Sequence, residues 1–133
     1  TIVGTRPAGG VAAAWANFEF LGLDGYMQIA RDLMAFIDAY KAGIREVRGL
    51  QILGDPHLSI VAYGSDEVDV FRVAEVMQAK GWLPGLVQQP KAIHRMMSML
   101  HAPSLDAYID DVRAAVGVLR QESGGASSIK ASY

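Results

Sequence analysis

Residues able to do chemistry gather at two places along the chain. Gly4-Thr5-Arg6-Pro7-Ala8-Gly9-Gly10 sets a small residue, a hydroxyl and a guanidinium at the entry of a helix. Exposed N–H groups, the positive end of the helix dipole and a forked cation all favour an anion such as phosphate there. The same residue types also make an ordinary helix entry, with Thr5 as the cap and Arg6 in solvent. His94 and His101 form the second place. Their separation is odd, so a regular strand aims them at opposite faces, which argues against a metal pair. One of them then looks into the core and the other sits at the strand end, where a pocket can form; a hydrogen-bonded structural histidine is the competing reading for each. His57 follows Asp55-Pro56 in a turn and is expected in solvent, and Asp110 and Asp111 are helix neighbours that do not face each other. There is no Ser-His-Asp order, nucleophile elbow or Walker loop. The absence of cysteine removes thiol nucleophiles, disulfides and Cys-ligated zinc. No metal site is read from the sequence.

The elements that must position these residues follow from periodicity. Pro7 suits a first helical turn, and Ala12, Ala13, Ala14 and Ala16 lead a first helix to Leu21, which Gly22 ends. Asp24 is placed to cap a second helix whose Tyr26, Ile29, Leu33, Ile37, Tyr40, Ile44 and Val47 recur three and four apart. Leu50–Leu53 and Leu58–Tyr63 are expected as antiparallel strands around the Gly54-Asp55-Pro56 turn. Val70, Val73, Ala74 and Met77 mark the next helix, with Gly81 as a left-handed cap. Trp82–Gln88 and Ala92–Leu100 are expected as two further strands, the second with Ile93, Arg95, Met97 and Met99 on one face. Met96 to Met99 serve as adaptable core filler. Ser104 caps a last helix carrying Leu105, Ile109, Val112, Val116 and Leu119. The order predicts an α+β fold, with an antiparallel or mixed sheet of about four strands covered on one face by helices.

Composition narrows the class. The chain has 133 residues, 51% of them hydrophobic, enough to build a core in one domain-sized unit. Twelve Lys and Arg against fourteen Asp and Glu leave a charge of −2, so there is no positive field to hold nucleic acid. No apolar run approaches the roughly 20 residues of a membrane span. The ends, Thr1-Ile2-Val3 without an initiator Met and Ile129-Lys130-Ala131-Ser132-Tyr133 after a Ser/Gly stretch, predict a piece of a longer polypeptide.

Several segments in order resemble one family. They are Thr1-Ile2-Val3-Gly4-Thr5-Arg6-Pro7-Ala8-Gly9-Gly10, Leu21-Gly22-Leu23-Asp24-Gly25-Tyr26, Gly49-Leu50-Gln51-Ile52-Leu53-Gly54-Asp55-Pro56, Ser59-Ile60-Val61-Ala62-Tyr63-Gly64-Ser65, Lys80-Gly81-Trp82, and Ile93-His94 through Leu100-His101. Together they resemble the pyridoxal-phosphate-dependent group II decarboxylases and sphingosine-1-phosphate lyases, the lyase branch most nearly. The resemblance implies the C-terminal portion of a fold-type-I enzyme. Residues 1–48 would be a loop and connecting helices packing on the large domain and the dimer partner, 49–122 the small α+β domain, and 123–133 a flexible tail. The Schiff-base lysine would lie in the large domain upstream, so this chain alone would be inactive.

By the same resemblance, Gly4, Thr5 and Arg6 would reach the phosphate of pyridoxal 5'-phosphate across a homodimer boundary, and His94 and His101 would lie near substrate. Glutamate-type decarboxylases carry a carboxylate-gripping arginine where a gapless comparison puts Met99, which favours the lyase reading: cleavage of a phosphorylated long-chain amino alcohol to an aldehyde and phosphoethanolamine. The alternatives are an amino-acid decarboxylase and a free-standing, non-catalytic ligand- or partner-binding α+β module. The implied partners are the large domain and a second subunit, with no nucleic acid and no membrane span, and the expected location is cytoplasmic. An isolated chain exposing Trp15 and Phe18 should self-associate. Gel filtration should give an apparent mass above that of the monomer, and a well-behaved monomer would contradict this.

Overall fold

The computed structural model describes residue 4 and residues 7–122, which group into two compact units divided between Asp32 and Leu33. Thr5, Arg6 and the tail expected over 123–133 lie outside the described residues.

The first unit is helical. Helix α1, Gly9–Glu46, begins here, and its backbone leaves helical geometry at Gly22, with φ 57° and ψ −174°. Only glycine takes such a φ without a Cβ clash, so the break falls where the sequence places it. Asp24 lies inside the helix that follows rather than capping it, because the break comes two residues earlier. Trp15, Phe18, Phe20 and Leu23 are all exposed, Phe20 by 87%. Phe18 and Tyr26 touch each other, with ring centroids 5.6 Å apart.

The second unit is the α+β body. Strands β1 (Gln51–Leu53), β2 (Ile60–Gly64), β3 (Gly85–Val87) and β4 (Ala92–Met96) form one sheet in the order β1-β2-β4-β3, every neighbouring pair antiparallel. Side-chain alternation separates its faces. Val61, Tyr63 and Ile93 are fully buried, whereas the cross-strand pair Ile60 and Met96 is exposed. Onto the buried face pack the later part of α1 (Phe36, Ile37, Tyr40, Ile44), helix α2 (Val70–Ala79) through Val73, Ala74 and Met77, and helix α3 (Leu105–Gln121) through Val112 and Val116.

Local chemistry sets the element ends. Asp69 accepts the N–H of Phe71 at 2.9 Å and caps α2, and Gly81 closes it at φ 91°. All four strands are shorter than expected, β3 and β4 by the most. Pro84 has no N–H to donate, so β3 begins only at Gly85. Strand β4 ends at Met96, beyond which the chain winds into a 3-10 turn, Met99–Ser104. Met97 is therefore buried core, while Met96 and Met99 are exposed rather than core filler. Ser104 precedes α3 but its hydroxyl donates to the His101 carbonyl at 2.9 Å, so it stabilises the preceding turn and does not cap the helix.

Ile37 is fully buried in this core. Ile37→Ala should cost about 2–5 kcal/mol, read as a lower urea midpoint; an unchanged midpoint would show that α1 is dispensable to the α+β body.

Candidate functional site

The sheet is notched at one corner. Gly85 of β3 pairs with His94 of β4, and the next position outward is Pro84, so Arg95 and Met96 have no partner on that edge. A cavity of about 410 Å³ opens there, its wall including Trp82, Gly85, His94, Arg95 and His101. His94 and His101 thus share one cavity, against the expectation from strand parity. Parity fails because alternation stops at Met96 and the 3-10 turn carries His101 back to the notch.

Each wall residue is held by a definite contact. The His94 ring lies across Gly85, where a Cβ would overlap the imidazole. His101 Nδ1 accepts the Ser98 backbone N–H at 3.0 Å. The same Nδ1 lies 3.2 Å from both the hydroxyl and the carbonyl oxygen of Ser98, so the ring is tied to the start of the turn. Trp82 Nε1 donates to Asp111 Oδ2 at 2.8 Å, and Lys80 Nζ donates to Asp111 Oδ1 at 2.5 Å. The two hydrogen bonds, from Lys80 and then Trp82, hold the Asp111 carboxyl below the usual carboxylate range. Asp111 is therefore the anchor of Trp82, while Asp110 pairs with Arg113 at 2.6 Å.

Arg95 was legible only as a cation on the face shared by Ile93 and Met97. Its guanidinium lies 4.6 Å from the Tyr108 ring centroid and 6.0 Å from that of Trp82. Trp82 meets Tyr108 edge-on at 5.1 Å, an arrangement that favours both rings. Beneath them lies a tyrosine cluster the sequence did not reveal. Tyr63 and Tyr108 share a hydrogen bond between hydroxyls at 2.8 Å, and Tyr40 packs on Tyr108 at 5.8 Å. A chamber of about 10 Å³ is bounded by Tyr40, Arg95, His101, Ser104 and Tyr108, and it shares Arg95 and His101 with the cavity wall.

The other sequence-derived residues lie elsewhere. Gly4 is exposed, at φ 40°, and Thr5 and Arg6 fall outside the described residues. His57 is 86% exposed beside Asp55, 3.7 Å away, in the expected solvated turn. Among the described residues, no group of three or more His, Asp or Glu side chains is assembled to hold a metal. No helix among them is long and apolar enough to cross a membrane.

No protein-family model matches the chain. It is 34% identical to the sphingosine-1-phosphate lyase of Oryza sativa subsp. japonica over 98% of its own length. It also superposes on the solved sphingosine-1-phosphate lyase of Burkholderia pseudomallei K96243, with TM-score 0.83 and 29% identity over 90% of this chain. The glutamate decarboxylase of Lactobacillus brevis matches in fold at TM-score 0.66 and 18% identity, over 84% of this chain and 28% of that one. The chain spans about a quarter of the length of such relatives, 24% of the rice protein and 27% of the Burkholderia one. Sphingosine-1-phosphate lyase homologues thus cover it almost end to end, consistent with a C-terminal portion, and the fold is that of the α+β part of fold-type-I enzymes.

Burial raises the pKa of Tyr63 and Tyr40 well above 10.0 and raises that of Tyr108 as well. Their folded values exceed the unfolded one, so their contribution is complete below the ordinary tyrosine value and is lost as pH rises past it. Urea melts between about pH 8 and about pH 11 should show stability falling above about pH 10. The fall should be shallower in the Tyr63→Phe/Tyr108→Phe double variant; parallel profiles would remove the cluster as the cause.

Proposed function

We propose that this chain is the C-terminal part of a pyridoxal-phosphate-dependent carbon–carbon lyase that cleaves a phosphorylated long-chain amino alcohol to an aldehyde and phosphoethanolamine. The observation that carries this reading is 34% identity to a sphingosine-1-phosphate lyase across 98% of the chain. The remaining three quarters of such an enzyme, with the lysine that holds the cofactor, would come from the large domain, so the chain alone is expected to be inactive. The exposed apolar helix in the first unit, with Trp15, Phe18, Phe20 and Leu23, supplies a surface suited to that domain and to a second subunit.

The donor set Gly4, Thr5 and Arg6 fits the cofactor's phosphate in its chemistry. It offers a hydroxyl, a guanidinium and backbone N–H groups, and Gly4 takes the positive φ of a tight approach. When bound, pyridoxal phosphate supplies an electron sink for the bond being broken. The contribution of these three residues is to fix the ring by its phosphate, so that the scissile bond is presented in one orientation.

A second reading, an amino-acid decarboxylase, is favoured by one observation. Met99 stands in the 3-10 turn, but Arg95 brings a guanidinium to the cavity wall that a carboxylate could use. The full-length enzyme separates the two. Release of a long-chain aldehyde from a phosphorylated amino alcohol, without carbon dioxide from amino acids, is expected. Carbon dioxide release alone would replace the lyase by the decarboxylase, and neither product would leave the non-catalytic module. Thr5→Ala with Arg6→Ala should raise the cofactor concentration needed for half-saturation by about tenfold or more, measured by cofactor absorbance independently of turnover.

A further inference from the structure

We propose that Asp111 is a positioning residue of the enzyme, a carboxylate outside the cavity that fixes the Trp82 ring and, through it, the place of the Arg95 guanidinium in the cavity wall. The inference rests on the lyase reading in that it takes this cavity to face substrate. Its starting point is how Arg95 is held. The side chain leaves the next-to-last residue of β4, and its guanidinium lies on two aromatic rings, 4.6 Å from the Tyr108 centroid and 6.0 Å from that of Trp82. A ring face attracts a cation through its quadrupole and offers no fork to lock its direction. The guanidinium therefore stands where the two rings stand.

The two rings are fixed by different means. Tyr108 is 4% exposed on α3, and its hydroxyl is bonded to that of Tyr63 at 2.8 Å. Trp82 belongs to the connection between α2 and β3, is only half-buried, and is flanked by Gly81 at φ 91° and by exposed Leu83. The polar tie of its indole is to Asp111, with Nε1 donating to Oδ2 at 2.8 Å. The carboxylate is itself oriented, because Lys80 Nζ donates to the other oxygen, Oδ1, at 2.5 Å. With one donor on each oxygen it cannot rotate without losing a charge-assisted bond. The same two bonds hold its carboxyl below the usual range, so it keeps its charge through neutral pH. A merely structural tie between α3 and the residues after α2 needs no indole, since Lys80 alone supplies one. Arg72 and Glu122 make another tie of that kind at the other end of α3, at 2.6 Å, and neither lines the cavity.

The test uses the full-length enzyme, with steady-state kinetics, urea melts and the rate at which phenylglyoxal modifies Arg95, read by peptide mass spectrometry. Asp111→Ala should raise KM about tenfold or more with kcat little changed, and should raise the Arg95 modification rate severalfold. Asp111→Asn, which keeps an oxygen for the indole, should restore most of both. Trp82→Phe should reproduce the KM rise, and adding Asp111→Ala to it should raise KM no further. Glu122→Gln should lower the urea midpoint and leave KM alone. A lowered midpoint in Asp111→Ala with KM and Arg95 reactivity unchanged makes the contact structural only and overturns the proposal, as do additive effects of the two substitutions. Should Asp111→Ala not fold, as judged by far-UV circular dichroism, an unchanged KM in Trp82→Phe overturns it. Should the unsubstituted enzyme release no aldehyde, the lyase reading falls, and the Arg95 modification rate alone decides this inference.

Discussion

A single buried sheet face is the constraint on which the α+β body depends. Val61, Tyr63 and Ile93 have no exposed surface, and three helical segments meet over them. A strand offers only alternate residues to one side, so a one-residue slip in β2 would turn Val61 and Tyr63 off the core face, and one in β4 would turn Ile93 off it. The register is therefore fixed by burial, and the notch at the β3–β4 corner is where it is fixed. Because buried Leu86 and Ile93 must stay opposite one another, Gly85 stays opposite His94, and Pro84 falls where pairing ends.

That same face explains the polar atoms beneath the cavity. Tyr63 is at the centre of the sheet and Tyr108 on α3, and their shared hydrogen bond satisfies two hydroxyls that water cannot reach. Tyr108 then serves as a platform, taking Trp82 at its edge and Arg95 over its ring. A charged side chain can occupy a core-facing position of β4 because the aromatic shelf carries it to the sheet's end. Asp111 fixes the shelf from outside through Trp82.

The helices were legible because their signals are local and repeated. The stripe from Leu33 to Val47 continues through about four turns, and Gly22 and Gly81 both take the positive φ that marks an interruption or an end. Strand lengths were not legible, since extending Ala92 to Leu100 by composition alone ignores that β2 offers its last partner, Ile60, to Met96. The error propagated to the site. Counting parity from His94 to His101 separates them, whereas the turn after Met97 brings them to one cavity. The tyrosine cluster is assembled from residues 40, 63 and 108, distant in sequence, and no spacing rule connects them.

Glycine at position 85 has an outcome for descent as well as for packing. Since the imidazole of His94 occupies the volume that any side chain there would need, the two positions are not free to drift separately. A lineage that enlarges residue 85 must first shrink or swing away residue 94, and in doing so gives up one wall of the notch. Paired change at these two positions would then mark the branches in which this corner has been rebuilt.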